Sequence, residues 1–220
     1  MRCMSLRNVI ERFIAHQARL PKGVFGGVIM ARIFSAANRH RHQITLQQLS
    51  LSKKYAVLDV GCGNGDFLFN LRQHSPSCFA VGIELSSAMS TIVQRRNTNH
   101  RTGGRVDIAR ADWSRLPFLE DSFDRVIASN IIYFWEKPHE SLSEIHRVLK
   151  ASGKLTIIFQ PISPTNQAKY LSYGYVTYSQ ETVIQLLNDN GFRIIDVLSK
   201  EENSKNRSWE VLWITASRGA

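Results

Sequence analysis

The spacing of apolar positions changes rhythm once along the chain. Before position 54 it is helical: Leu6, Val9, Ile10, Phe13 and Ile14 recur three and four apart, and Pro21-Lys22-Gly23 interrupts the stripe. A second, strongly apolar helix is expected over 24–37, with Arg32 as its one charge, and a third, short helix over 43–51. From Tyr55 onward, short β-branched and aromatic runs alternate with helical stretches. Strands are predicted over 55–60, 79–85, 105–109, 123–129, 155–159, 192–198 and 210–215. The intervening helices fall over 66–73, 86–97, 139–149 and 179–190, with Ser86 and Ser179 as N-caps and Gly191 as a stop.

Alternating strands and helices need crossover connections, so the pattern predicts an α/β fold with a doubly wound, seven-stranded, mainly parallel sheet. No helix separates the last two strands, so the final strand should run antiparallel, with 199–208 as a polar hairpin loop. Residues 1–53 are expected to be a helical cap or lid, with a dimer contact or a membrane-surface element as the alternatives for their apolar segment, and 54–220 a single globular unit.

One stretch interrupts the apolar rhythm sharply. Val57-Leu58-Asp59-Val60 runs into Gly61-Cys62-Gly63-Asn64-Gly65, three glycines in five residues, before the pattern resumes at Phe67. Such a loop can take positive φ and let a ligand approach its backbone. Its N–H groups and the following helix N-terminus are expected to favour electron-rich groups. Glu84 closes the second strand, where an acid can accept both hydroxyls of a ribose. A dinucleotide fingerprint would need glycine where Asp66 stands, and no Gly-Lys-Ser/Thr follows the loop. A nucleoside without a diphosphate is the better fit. Asp59, an acid on a buried strand, needs either a ligand's ammonium group or the loop's own N–H groups as a partner.

These segments resemble the class I S-adenosylmethionine-dependent methyltransferases of the type 11 group, a Rossmann-like family. The resemblance is carried by residues 57–65, by Val81-Gly82-Ile83-Glu84-Leu85-Ser86, by Ala111-Asp112-Trp113 through Phe118, by Ser122-Phe123-Asp124 through Asn130, and by Glu144 through Lys150 with Gly153. It covers 55–160 and departs from the family pattern at Ala151-Ser152-Gly153, where Pro-Gly-Gly is usual. It implies S-adenosylmethionine as cofactor, S-adenosylhomocysteine as product and no metal. The cofactor site it implies comprises Asp59, Gly61, Cys62, Gly63, Gly65, Glu84, Leu85, Asp112, Trp113 and Asn130, with Asp112 at the adenine amino group and Trp113 beside the ring.

The acceptor half is less legible. Tyr133, Phe134 and Trp135 make an aromatic loop beyond Asn130, and Tyr170, Tyr173, Tyr175 and Tyr178 cluster after the fifth strand. Asn130, Tyr133, Trp135 and Tyr173 are the acceptor-site candidates. Asn130 and Tyr133 match the ends of an Asn-Pro-Pro-Tyr motif, but Ile131 and Ile132 replace the prolines and remove the tight turn that motif needs. His40 or His42 would approach the acceptor if the N-terminal segment were a lid. No general base stands out.

Composition adds one unusual property, a net charge of +10, part of it at Arg32, Arg39 and Arg41 and part around Arg95, Arg96, Arg101, Arg105 and Arg110. It keeps an RNA or protein acceptor open as the alternative to a small molecule, although no RNA-binding motif accompanies it. No apolar run is long enough for a membrane span or a secretory leader, and Cys3, Cys62 and Cys78 have no metal-ligand spacing. The expectation is a cytoplasmic, catalytically active enzyme, monomeric or homodimeric.

Overall fold

The computed structural model describes residues 6–23, 25–52, 54–99, 106–163, 171–204 and 207–219. Tyr170, Arg101 and Arg105, the first residue of the expected third strand, lie outside them. The elements run α1 (Leu6–Arg19), a π-helical turn (Phe25–Met30), α2 (Ala31–Gln48), β1 (Ala56–Val60), α3 (Asp66–His74), β2 (Phe79–Ile83), α4 (Ser87–Asn99) and β3 (Asp107–Ala109). There follow β4 (Phe123–Ser129), a 3-10 turn (Ile132–Phe134), α5 (Pro138–Val148), β5 (Leu149–Phe159), α6 (Gln180–Asp189), β6 (Phe192–Ser204) and β7 (Arg207–Arg218).

The seven strands form one sheet in the order β3-β2-β1-β4-β5-β7-β6. Strands β1 to β5 pair in parallel, and β7 pairs antiparallel with both β5 and β6. The central strands are apolar on both faces because both are covered. Leu58, Val126 and Ile157 pack with α5 residues Leu142, Ile145 and Val148 and with Val183 and Leu187 of α6. Val57, Ile127 and Ile158 point the other way, toward Phe67, Leu68 and Leu71 of α3 and Ile44 of α2. Strand order reverses between β1 and β4, so a crevice opens there beyond their carboxyl ends.

Two expectations change. The predicted second and third helices run together: the π-helical turn Phe25–Met30 leads directly into α2, which continues unbroken from Ala31 to Gln48. Its polar middle, Asn38 to His42, reads as a break in the apolar pattern, yet helical spacing puts Ser35, Asn38, Arg41 and Thr45 on one face that meets polar partners. The predicted hairpin loop is instead mostly strand: β6 and β7 stay paired from Phe192↔Arg218 out to Ser204↔Arg207. The outer ladder has a polar sequence because it projects past the core, where backbone pairing rather than burial holds it.

Both predicted serine caps form. The Ser86 hydroxyl accepts from Met89 N–H at 3.3 Å, and Ser179 accepts from Thr182 N–H at 3.1 Å. Glu144 and Arg147 on α5 strap the loop after β3: Leu116 N–H donates to Glu144, while Arg147 donates to the carbonyls of Leu116 and Phe118. The helix motif that carried part of the resemblance thus positions the loop bearing Asp112 and Trp113.

Candidate active site

The glycine loop turns on three residues with positive φ: Gly61 at 73°, Gly63 at 54° and Gly65 at 75°. At Gly61 a Cβ would sit 2.5 Å from Ile131 Cγ2, so β1 and the end of β4 can approach only if this side chain is missing. At Gly63 an added Cβ would meet nothing nearer than Phe34 at 3.9 Å. That side of the loop faces open space.

The loop's donors are committed inward, contrary to the expectation that they would hold an electron-rich ligand. Gly61 and Cys62 N–H both donate to Ile83 C=O at 2.9 and 3.0 Å, and Gly65 N–H donates to Cys62 C=O at 2.9 Å. Gly63 N–H donates to the Glu84 carboxylate at 2.9 Å, as does Ser86 N–H at 2.7 Å. Glu84 therefore grips both the loop and the start of α4 while its remaining lone pairs face the crevice. Burial raises its pKa, against the pull of those backbone hydrogen bonds.

Asp59 is different. Its side chain is on the same strand face as Val57 but at the mouth of the crevice, with only 4% of its surface exposed. Among the described residues no hydrogen bond or ion pair reaches its carboxylate. Burial, and then the neighbouring charge of Glu84, push its pKa well above the ordinary range. A buried carboxylate without a protein partner costs free energy, and a cation placed beside it would recover that cost. The second reading of Asp59, a ligand for the loop's N–H groups, is set aside, since Glu84 takes that role.

A cavity of about 360 Å³ gathers most of the predicted residues: Asp59, Gly61, Cys62, Gly63, Glu84, Trp113, Asn130 and Tyr133 all line it. A second cavity of about 920 Å³ adjoins it, lined by Leu85, Asp112, Tyr173 and also Trp113. Trp113 therefore stands between the two. Asp112 is exposed, and one of its oxygens accepts from both the N–H and the hydroxyl of Ser114 at 2.8 Å. Gly65 lines neither cavity; its left-handed conformation caps α3.

Trp135 corrects an expectation: it is wholly buried in the core with Leu142 and Phe159, so it anchors the aromatic loop rather than walling the acceptor pocket. Tyr173 donates to Glu11 on α1 at 2.8 Å, and Tyr175 donates to Ala15 C=O at 2.8 Å. These two tyrosines hold α1 over the site. Tyr175 also stacks with Tyr133 at 6.4 Å and meets Phe134 edge-on at 5.0 Å. The Asn-Pro-Pro-Tyr likeness has no counterpart in the geometry. Asn130, at φ 56°, is tied to α2 by Arg41 at 2.9 Å and Asn38 at 3.1 Å.

The residues that sequence reasoning missed lie mainly on α1 and α2. Phe34, Asn38, Arg41 and Thr45 face the first cavity, as does Gln160 beyond β5. Arg41 forms a two-pronged pair with Glu202 at 2.9 and 2.7 Å, and Thr45 accepts from Trp213 Nε1 at 3.0 Å. Ser35 donates to Asp66, which Asn64 and Arg96 also bind. Burial raises the Asp66 pKa, but those donors outweigh it and hold the carboxyl below its ordinary value. Asp66, where a phosphate-binding loop would keep glycine, is thus the knot joining α2, the glycine loop and α4. His42 lines the cavity edge-on to Phe67 at 5.6 Å. Burial, aided by Arg41 and opposed by Asp66, lowers its pKa to about 4, so it is neutral at pH 7.

Comparison with known proteins bears on this arrangement. Residues 58–157 match the family model described as a methyltransferase domain. A demethylmenaquinone methyltransferase from Lactiplantibacillus plantarum is 29% identical over 130 residues, covering 58% of this chain and 55% of that protein. The matched chain thus spans little more than half the length of that curated relative. A chain of the Haloferax volcanii complex between the Trm112 methyltransferase activator and a methyltransferase superposes with a TM-score of 0.76 at 19% identity, covering 89% of this chain and 96% of that one. A geranyl diphosphate C-methyltransferase from Streptomyces coelicolor, in complex with Mg2+, geranyl diphosphate and S-adenosylhomocysteine, gives 0.71 at 15% identity over 90% and 85% of the two chains. At those identities the two structures bear on the fold alone.

Proposed function

We propose that the chain is a class I S-adenosylmethionine-dependent methyltransferase of the type 11 group, as its methyltransferase-domain match over residues 58–157 supports, and that it methylates an apolar small molecule held between the aromatic loop and an N-terminal cap. The observation that carries this reading is the apolar part of the first cavity's lining. It is made by Ile14, Ile33, Phe34, Ile131, Phe134 and Tyr175. The cations that reach the same cavity are already paired, Arg41 with Glu202 and Arg19 with Glu136. An acceptor whose recognition depended on charge would find little to bind.

The residues fit the cofactor. Asp59 is a buried carboxylate suited to an ammonium group, Glu84 keeps acceptor positions for ribose hydroxyls, and the open side of Gly63 admits a close ligand. In this reading Asp112 and Trp113 would take the adenine amino group and ring, and Leu85 lines the same second cavity. When bound, the cofactor supplies an electrophilic methyl on a sulfonium. The chain's own contribution is to hold the acceptor in line, keep water out with α1 and α2, and surround the site with Tyr133, Phe134 and Tyr175. Such positioning can be worth about 7–11 kcal/mol of the barrier. His42 lines the same cavity as a neutral imidazole. Residues 1–53 act as the cap in this reading, and 54–220 as the catalytic unit.

The test is turnover against a panel of acceptors, after calorimetry has established S-adenosylhomocysteine binding. Apolar aromatic and prenyl-type acceptors should be methylated in preference to charged, water-soluble ones. Turnover of charged acceptors alone would overturn the reading. An RNA acceptor is the second reading, favoured by the basic N-terminal segment; RNA affinity that falls steeply with salt, together with methyl incorporation into RNA, would establish it.

A further inference from the structure

The charge of this chain is concentrated in its cap. Residues 1–54 hold ten Lys and Arg against the single acid Glu11, so they carry nine of the ten net positive charges; residues 55–220 are nearly balanced. The same segment holds an unusual share of exposed apolar surface. Phe13, Ile14, Val28, Ile29 and Ile33 are each between 36% and 49% exposed, half of the ten large apolar side chains exposed among the described residues. They are interleaved with Arg12, Arg19, Lys22, Arg32 and Arg39, all on the surface. Neither feature decides much alone: scattered surface leucines and isoleucines are ordinary, and so is a basic patch.

Their position makes the combination informative. Ile14 and Ala18 are one turn apart on α1, and Ile33 and Ala37 are one turn apart on α2. All four line the first cavity. Ile14, Ile33 and Ala37 are also exposed. Part of the cavity's rim is therefore apolar and continuous with the protein surface, with exposed Arg19 beside it.

We propose that the cap seats on an anionic phospholipid bilayer, with the mouth of the cavity turned toward the lipid. This rests on the reading of the cavity as an apolar acceptor site. The physical case is complementarity on two counts. Interleaved apolar side chains and arginines are what an interfacial helix presents, the former entering the acyl boundary and the latter meeting the headgroup charge. A second copy of this chain would bring two strongly cationic surfaces together, and RNA offers nothing to cover Val28 and Ile29. An apolar acceptor dissolved in the bilayer would then reach the cavity without crossing water. Among the described residues no helix is long and apolar enough to cross a membrane, so the contact is peripheral.

Co-flotation of the full chain with extruded vesicles tests this. One set is phosphatidylcholine alone, and the other is phosphatidylcholine with phosphatidylglycerol. The chain should float with the second set, lose that binding as salt is raised, and bind the neutral set weakly. Arg32→Ala and Arg39→Ala should each lower partitioning roughly fivefold. Val28→Ser with Ile29→Ser should lower it further, with the melting temperature and S-adenosylhomocysteine affinity retained. Leu119→Ser, at an exposed apolar position away from the cap, should have no effect. Absence of flotation, equal binding to neutral vesicles, or cap variants that disrupt only self-association or RNA binding would each overturn the inference. The two readings fail separately. Turnover of an apolar acceptor in detergent without vesicle binding sinks only the docking surface. Vesicle binding without turnover of any apolar acceptor sinks only the acceptor assignment.

Discussion

The two walls of the site are built on opposite principles. On the sheet side, Gly61 to Gly65, Glu84 and Asp59 come from strand ends and tight turns within one stretch of chain, and they are polar, buried and sparing in side-chain volume. On the cap side, α1 and α2 present bulky apolar residues inward and are fixed by contacts between distant positions: Ser35 to Asp66, Asn38 to Asn130, Arg41 to Glu202, Thr45 to Trp213, and Tyr173 and Tyr175 to α1. The first wall is suited to recognising one ligand by hydrogen bonds. The second packs over the first and is tied to it where Ser35 meets Asp66 and where Asn38 and Arg41 meet Asn130.

Substitutions on either wall can break this division. The largest effect is expected at Glu84. Glu84→Ala removes the proposed ribose partner and leaves the N–H groups of Gly63 and Ser86 without their acceptor, so S-adenosylhomocysteine affinity should fall by about 3 kcal/mol or more, roughly 150-fold. Calorimetry showing a change of less than tenfold would remove Glu84 from the binding wall.

Arg41→Ala tests the other wall. It strands the carboxylate of Glu202 in a pair whose side chains are only 10% and 11% exposed. A loss of about 3 kcal/mol is expected, a fall in melting temperature of roughly 6–12 °C. Acceptor turnover should suffer more than cofactor affinity. Equal losses in both would mean that α2 belongs to the cofactor site as much as to the cap.

His42 gives the cap a pH signature. Its folded pKa of about 4 lies below the ordinary 6.5, so in that window the unfolded chain takes up a proton that the folded chain refuses. Stability should therefore fall as pH drops from about 6.5 to about 4, by up to roughly 3 kcal/mol. No further contribution is expected below that range. Denaturant melts across the window should show the slope, and His42→Phe should flatten it. An unchanged slope would assign the acid sensitivity elsewhere.

Asp59→Asn should separate binding from stability, with smaller effects of opposite sign. It removes a buried charge that no described protein group pairs, so the ligand-free protein should gain about 1 kcal/mol and melt roughly 2–4 °C higher. Cofactor-product affinity should fall by about 2 kcal/mol, some 30-fold. A variant that loses both stability and affinity would mean that Asp59 has a structural partner.

Much of the first wall was readable before any coordinates, because its information is local. Strand period, glycine spacing and the acids at strand ends lie within a few residues of the turns they shape. Even there local pattern does not say who binds whom. The loop's N–H groups were expected to face a ligand, but Ile83, Glu84 and Cys62 take four of them, and that follows only once β1 and β2 are paired. Gly65 and Trp135 were placed in the site by position along the chain, whereas packing turns one into a helix cap and the other into core.

The sequence by itself determined the sheet, the crevice and the chemistry of the group that its polar wall suits, since hydrophobic period and short motifs specify those directly. Tertiary structure alone decided what closes the crevice. Arg41 meets Asn130 across 89 positions and Glu202 across 161, and no local pattern encodes such partners. The polar middle of α2 reads as a break between helices for the same reason: its partners are supplied by strands folded much later in the chain.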